Sequence, residues 1–387
     1  MDRTAYLDNS ATTPMDPRVL REMEPFFGSV YGNPSSIHSA GRRAAEAVEA
    51  ARKKVAKAMN ARPSEVIFTS GGTESDNIAI QGVASANRSH GDHIITSCIE
   101  HHAVLHICHH LEETGFKITY LPVDKEGLVS PDAVRKAMTP DTILVSIMAA
   151  NSEIGTVQPI REIGAIAHSG GALFHTDAVQ AMLKMPIDVD RDNIDLLSLS
   201  AHKMHGPKGV GALFVKKSTK ISPITYGGGQ EFGLRPSTEN VAGIVGMGAA
   251  VEIGMLSMDQ DIERMTVLRD RTIEGVISSV PGVHLSGSRD HRLCNNVHLR
   301  FDGLDGKDLV IMLDRKGIAV STGTACSSRS VAPSHVVAAL GVDAQGCRSS
   351  LRITLGRNNS QDEVDHLLEV LPQVVAELRS AEATLYG

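Results

Sequence analysis

Between residues 39 and 59 the apolar positions Ala44, Ala47, Val48, Ala51, Val55 and Met59 recur three and four apart, while Glu46, Glu49, Arg52 and Lys53 take the other side. That spacing predicts an amphipathic helix over 39–59. A second helix is predicted from Ser360, where Ser360-Gln361-Asp362-Glu363 has the form of a capping box ahead of Val364, Leu367 and Leu368, and it is expected to end near Leu378. Between these helices lie short apolar runs that stop abruptly at polar residues: Val66–Thr69, His93–Ser97, Thr142–Met148, Ala172–His175 and Leu196–Ser200. Their length, and their alternation with helix-like segments, predict strands of a largely parallel, doubly wound α/β sheet.

In such sheets the ligand site lies outside the carboxyl ends of the strands. Here those ends carry Ser70-Gly71-Gly72-Thr73, Glu100-His101, Asn151-Ser152-Glu153, Asp177-Ala178-Val179-Gln180 and Ser200-Ala201-His202-Lys203. Five polar clusters are therefore expected to converge on one place. After about residue 255 the texture changes: Asn296–Phe301, Gly317–Ser321 and Leu351–Leu355 read as strands, Lys307–Arg315 and Asp362–Leu378 as helices. The expected organisation is a large domain over 15–255 and a smaller α/β domain formed by 1–14 and 256–387.

Composition narrows the chemistry. The chain has 387 residues and a formal net charge of -7, with acidic and basic residues interspersed, so it lacks the basic stripe that direct nucleic-acid binding requires. Aromatic residues make up 3% and Trp is absent, which leaves few stacking platforms. The five cysteines (Cys98, Cys108, Cys294, Cys326, Cys347) are odd in number and widely spaced, which fits a reducing compartment rather than a disulfide framework. Residues 1–10 have no apolar signal-peptide core, and the most apolar later stretch, 241–251, is Gly-rich and followed by Glu252, so no membrane span is predicted and the expected location is cytoplasmic.

Thr69-Ser70-Gly71-Gly72-Thr73-Glu74-Ser75 follows a predicted strand and opens a helix. Small residues there present backbone N–H groups at a positive helix end, as an anion cradle for a phosphate or as a tight capped turn. It is neither GxxxxGK[ST] nor GxGxxG, which disfavours a nucleoside triphosphate or a dinucleotide. Lys203 stands just past a strand end between His202 and Gly206-Pro207-Lys208-Gly209, and Asp177 ends a neighbouring strand with Gln180 following it. A lysine able to form a Schiff base and a buried Asp beside a pyridinium nitrogen are the groups pyridoxal 5'-phosphate requires. His101 could stack on such a ring or be structural. His102 and His106, four apart on the helix that runs on to His110, have the spacing of a metal pair or of a solvated face, without the HExxH pattern.

With these residues assembled, the chain resembles the cysteine desulfurases of the NifS/IscS type, fold-type I pyridoxal-phosphate enzymes of the class V aminotransferase group. The resemblance runs through Tyr6-Leu7-Asp8-Asn9-Ser10-Ala11-Thr12-Thr13-Pro14, Gly32-Asn33-Pro34-Ser35-Ser36, Phe68–Asn77, Glu100-His101, Asp177–Gln180, Ser200–Lys203, Gly227-Gly228-Gly229 and Gly323-Thr324-Ala325-Cys326. It implies a mainly parallel seven-stranded sheet in the large domain. It implies that Lys203 attaches the cofactor, Asp177 pairs with the pyridine nitrogen, Gln180 binds the phenolic oxygen and His101 stacks on the ring. Gly72, Thr73, Ser200 and His202 would hold the phosphate, with Thr238 reaching it from the partner subunit of a homodimer, and Asn33 and Arg352 would grip the substrate carboxylate. One departure stands out: Asn151-Ser152-Glu153-Ile154-Gly155 places Ser152 where the family has the Asn that touches the phenolic oxygen.

Cys326 lies in a run of Ser, Thr, Gly and Ala over 321–330, with little apolar to bury, whereas Cys98 reads as a small buried residue on an apolar strand. The resemblance makes Cys326 the nucleophile that takes sulfur from L-cysteine as a persulfide, leaving L-alanine. The long stretch after it implies delivery to acceptors such as an iron–sulfur scaffold protein of the IscU kind, with Cys326 a possible shared cluster ligand. Arg329 is a candidate activator of its thiolate. The competing readings are a selenocysteine lyase, a class V aminotransferase, which would not need Cys326, and an interaction scaffold for iron–sulfur assembly.

Overall fold

A computed structural model describes residues 5–323 and 333–386. After β1 (Ala5–Tyr6), α1 (Pro17–Met23) and α2 (Ser39–Ala58), strands and helices alternate: β2 (Val66–Thr69), α3 (Gly72–Asn87), β3 (His93–Ser97), α4 (His102–Glu113), β4 (Lys117–Leu121), α5 (Pro131–Ala137), β5 (Thr142–Ser146), α6 (Ile160–Ser169), β6 (Leu173–Asp177), β7 (Leu196–Ser200) and β8 (Gly211–Val215). The last seven-stranded assembly has the order β2-β8-β7-β6-β5-β3-β4. Only β8 runs antiparallel to its neighbours, β2 and β7. Every residue of β2, β3, β5, β7 and β8 is buried, because helices cover both faces.

Two strands of this sheet lie outside the predicted set. β4 is an edge strand that opens on exposed Lys117 and is only half-buried, and β8 opens on Gly211, where a Cβ would stand 2.7 Å from Gly71 Cα at the mouth of α3. β5 ends at Ser146, short of the expected Met148, because the chain there turns into the site. Cys98 is half-buried in the turn after β3 rather than on the strand.

The remaining elements are α7 (Val241–Ser279), β9 (Val283–Leu285), β10 (Asn296–Phe301), α8 (Gly306–Arg315), β11 (Ile318–Ala319), α9 (His335–Ala339), α10 (Ala344–Arg348), β12 (Ser350–Thr354) and α11 (Gln361–Tyr386). β12, β10 and β9 form an antiparallel sheet, and β1 pairs in parallel with β11, so the first residues pack into this second layer. Its core combines Ala5 and Leu7 with Leu299, Leu313, Leu351, Leu367 and Val374, separate from the core around the large sheet. The chain passes from one core to the other inside α7, which is 39 residues long and carries its buried Ala242–Gly254 stretch against α2. This is the one helix among the described residues long and apolar enough to cross a membrane, and more than half of that window is buried within the fold. At α11 the predicted capping box forms, with Ser360 N–H donating to Glu363 Oε2 at 2.7 Å, and the helix continues past Leu378 to Tyr386.

Candidate active site

The polar clusters at the carboxyl ends of β2, β3, β5, β6 and β7 meet around a cavity of about 250 Å³. Its lining includes Gly72, Thr73, His101, Asp177, Gln180, Ser200, His202, Lys203 and Arg352, along with Asp76, Glu100, Ser152, Glu153 and Gly323. Nine of the sequence-predicted site residues thus share one wall system.

One end of the cavity is the start of α3. Gly71 caps the helix without a side-chain hydrogen bond, so its first N–H groups keep their donors for a ligand. Thr69 Oγ1 and Ser75 Oγ lie 2.8 Å apart and Ser75 donates back to Gly71 O, which holds the turn rigid. Gly72 is needed for closeness: a Cβ there would stand 2.6 Å from Val179 Cγ2. Ser200 and His202 stand across from this helix end. Burial pushes the His202 imidazole down to about 4, so it is neutral and acts by hydrogen bonding, with its Nδ1 3.1 Å from Thr12 Oγ1.

Deeper in, Asp177 ends β6 and accepts from Val179 N at 2.9 Å. Burial raises its carboxyl to about 6, against the pull of the Val179 N–H and of Lys203. Behind it Asp76 is buried, stands 3.6 Å from His175 Nε2, and is raised further by burial and by the charge of Asp177. Two carboxyls this close divide one proton between them unequally. Glu100 is raised to about 8, chiefly by burial, and accepts from Ser97 Oγ at 2.6 Å and from Met148 N. Lys203 Nζ donates to Ser10 O at 2.5 Å and Ala11 O at 2.9 Å. Gln180 donates to Ser10 O, and its buried Oε1 has no hydrogen-bond partner among the described residues.

His101 is the N-cap of α4. Its Nδ1 accepts from Ala103 N at 3.1 Å, so the ring proton sits on Nε2, and burial together with Lys203 lowers the imidazole to about 4. At the other side Arg352, on β12, donates to Asp8 Oδ1 at 3.0 Å, Ser321 Oγ, Ser152 O and Gly323 O, while its buried Nε has no hydrogen-bond partner among the described residues. Asn151 is spent on structure, donating to Ile99 O and accepting from the N–H groups of Glu153 and Ile154. It is therefore not free to replace the side chain missing at Ser152.

Asn33 and Thr238 are exposed and lie away from the cavity lining. Cys326 and Arg329 lie outside the described residues. The four described cysteines are free, and burial raises the thiols of Cys98, Cys108, Cys294 and Cys347, those of Cys108 and Cys294 to about 12 and 11. His102, His106 and His335 gather beside the cavity, with ring centroids 5.0 and 4.8 Å from His102, but no group of three metal-binding side chains is arranged for an ion among the described residues. Asp8, Asp76, Glu100 and Glu153 had no assigned role in the sequence. Glu100 and Glu153 carried a signal in the strand-end clusters, and Asp76 in its place four residues after Gly72 on one helix face.

The cavity thus offers an amine, an ionisable carboxyl, a neutral imidazole, an anion cradle and a guanidinium. The family profile described as aminotransferase class-V matches residues 5–367. A cysteine desulfurase IscS of Dictyoglomus turgidum is 52% identical over 380 residues, covering 98% of this chain and 96% of the relative. Among solved structures, a NifS-like protein superposes with a TM-score of 0.91 at 40% identity, covering 97% of this chain and all of its own. SspA in complex with cysteine gives 0.80 at 38% identity, covering 92% and 99%.

Proposed function

This chain belongs to the class V aminotransferase family, within its cysteine desulfurase group, and from that premise we propose that the cavity binds pyridoxal 5'-phosphate and converts L-cysteine to L-alanine, with the sulfur passing to Cys326 as a persulfide. The observation that carries this reading is the meeting of Lys203, Asp177 and the uncapped start of α3 in one cavity with Arg352. Gln180 Oε1, which has no hydrogen-bond partner among the described residues, is what a polar ring ligand would satisfy there. When bound, the cofactor supplies an electrophilic carbon and an electron sink for bond cleavage at the substrate Cα.

The chain's own groups divide the remaining work. Gly72, Thr73, Ser200 and His202 hold the phosphate through N–H, hydroxyl and neutral imidazole donors. Asp177, kept ionised by its neighbours, holds a proton at the ring nitrogen. Lys203 fastens the cofactor and, released by the substrate amine, takes the Cα proton on Nζ. His101, neutral with its hydrogen on Nε2, donates a hydrogen bond toward negative charge that develops beside it. Arg352 turns its fork to the substrate carboxylate, giving up part of its contact with Asp8. The Cys326 thiolate attacks the substrate sulfur: an S–S bond forms, the C–S bond breaks, and the electron pair left on the three-carbon fragment takes a proton, giving L-alanine.

The exposed Asn33 and Thr238 belong in this reading to the neighbouring site of a homodimer. They lie among uncovered apolar side chains, Tyr31 (82% exposed), Ile37 (91%), Tyr226 (88%) and Phe232 (59%), the kind of surface a second copy covers. In this reading residues 15–255 form a large domain and 1–14 with 256–387 a smaller one, which the two main cores support, and the free thiols suit a reducing compartment such as the cytoplasm. Persulfide handed on by Cys326 would serve protein acceptors for iron–sulfur assembly or thiolation. The test is stoichiometric: protein loaded with pyridoxal phosphate and given L-cysteine and a thiol reductant should release alanine and sulfide in equal amounts. Amino transfer to a keto acid without sulfide would overturn the reading.

A further inference from the structure

Glu153 is a buried carboxyl with one side-chain hydrogen bond, one close packing contact and, among the described residues, no basic group within ion-pair distance. Its Oε2 accepts from Ser334 Oγ at 2.6 Å. The same oxygen lies 2.5 Å from where a Cβ of Gly323 would be, so the backbone of Gly323 is seated directly against it. His298 Nε2 stands 3.1 Å from that same point, fully buried and with neither ring nitrogen hydrogen-bonded among the described residues. Glu153 is itself fixed from behind, its N–H donating to Asn151 Oδ1 and its carbonyl accepting from Asn296 Nδ2, both at 2.9 Å.

Each neighbour is held in turn. Ser334 is the N-cap of α9, accepting from Val337 N, and Val336 and Leu340 of that region pack on Ile99 and Ile154. His335 Nε2 meets Glu100 O at 3.0 Å. The carbonyl of Gly323 accepts from Arg352 Nη1. Burying a carboxyl in this apolar setting opposes folding, and burial does push its ionisation upward, against the pull of Ser334, Arg352 and His102. An apolar side chain would fill the space at lower cost but could not accept a hydrogen bond from Ser334.

Resting on the sulfur-transfer reading above, we propose that Glu153 is a positioning residue for that transfer: its carboxyl holds Ser334 by a hydrogen bond and packs against Gly323, and so sets the spacing of the two points between which the chain carries Cys326. Lys203, Asp177 and the phosphate cradle do not depend on this contact. Loss of it should therefore separate substrate binding from sulfur transfer.

The test compares Glu153→Ala, Ser334→Ala and Glu153→Gln in enzyme loaded with pyridoxal phosphate. Two quantities are read: the cysteine concentration that half-saturates the visible spectral change, and the single-turnover rate at which the Cys326 persulfide forms, followed by mass spectrometry. In Ser334→Ala the half-saturating concentration should stay within about twofold of wild type while the transfer rate falls about tenfold, the loss of one hydrogen bond, and Glu153→Ala should transfer at least as slowly. Glu153→Gln, which keeps an acceptor for Ser334, should transfer at more than about half the wild-type rate. Ser334→Ala, the smaller change, decides the matter if Glu153→Ala does not fold. Wild-type transfer in the Ala variants, equal loss of binding and transfer, or a Gln variant as slow as Ala would each overturn the proposal. Wild-type enzyme that makes alanine with no persulfide on Cys326 would instead overturn the underlying functional reading, whatever the variants do.

Discussion

At Asp177 burial works against ionisation and its neighbours work for it. The carboxyl is raised to about 6 by desolvation and drawn back by the Val179 N–H and Lys203, while Asp76 beside it is raised well beyond the usual range. The pair therefore keeps its proton on Asp76 and its charge on Asp177 at neutral pH. Asp76→Asn mimics the protonated acid and should leave desulfuration within about threefold of wild type, whereas Asp177→Asn removes the charge and should lower it about a hundredfold or more. Steady-state alanine production measures both, and equal losses would contradict the division. Ser152 is a second residue-scale case. Restoring a longer amide donor in Ser152→Asn should stabilise the deprotonated phenolic oxygen and move the pH of the cofactor's visible transition downward. An unchanged spectral titration would mean that the departure has no electronic consequence.

The start of α3 depends on one small residue. Gly72→Ala would drive a methyl into Val179, and the helix N–H groups would lose their close approach to the ligand. The expected result is about tenfold weaker binding of pyridoxal phosphate, read by absorbance titration, with the far-ultraviolet circular dichroism unchanged. Elements of this kind differ in how legible they are in the sequence. β2, β3, β5, β6 and β7 announce themselves as apolar runs because both their faces are covered, and the polar residues that end them mark the site. β4 does not, since an edge strand starting at Lys117 is half solvent-facing, and β8 is hidden by the glycine that lets it pass the mouth of α3. Lys203, Asp177 and the glycine cradle were readable because residue type and place in the strand-end pattern carry their chemistry. Asp76, Glu100 and Glu153 were not, because what sets a carboxyl's behaviour is its burial, a product of packing. The Asp8–Arg352 pair joins residues 344 apart, and nothing local signals it.

Across the whole molecule the buried histidines set the response to acid. His175 and His298 are lowered to about 3, and His101, His202 and His205 to about 4, in every case chiefly by burial. Each is neutral in the fold and gains a proton more readily when unfolded. Their contribution to stability is therefore complete above about pH 6.5 and is lost as pH falls toward 4 and 3. Glu100 acts in the opposite sense: raised to about 8, it favours the fold while protonated and loses that contribution as pH climbs from the usual carboxylate range to about 8. The melting temperature should peak at about pH 6.5–7 and drop more steeply on the acid side, where five groups act together. A calorimetric series from acid to alkaline pH checks this, and a flat acid limb would contradict it.

The central claim is that one cavity prepares L-cysteine and Cys326 removes its sulfur, and one comparison tests it directly. Wild type and Cys326→Ser, both loaded with pyridoxal phosphate, are mixed with L-cysteine and followed by visible absorbance, alanine release and intact-protein mass spectrometry. Wild type should gain one sulfur on Cys326 and release alanine, and Cys326→Ser should show the same initial spectral change on binding cysteine but form neither persulfide nor alanine. Full alanine turnover by Cys326→Ser would contradict the account.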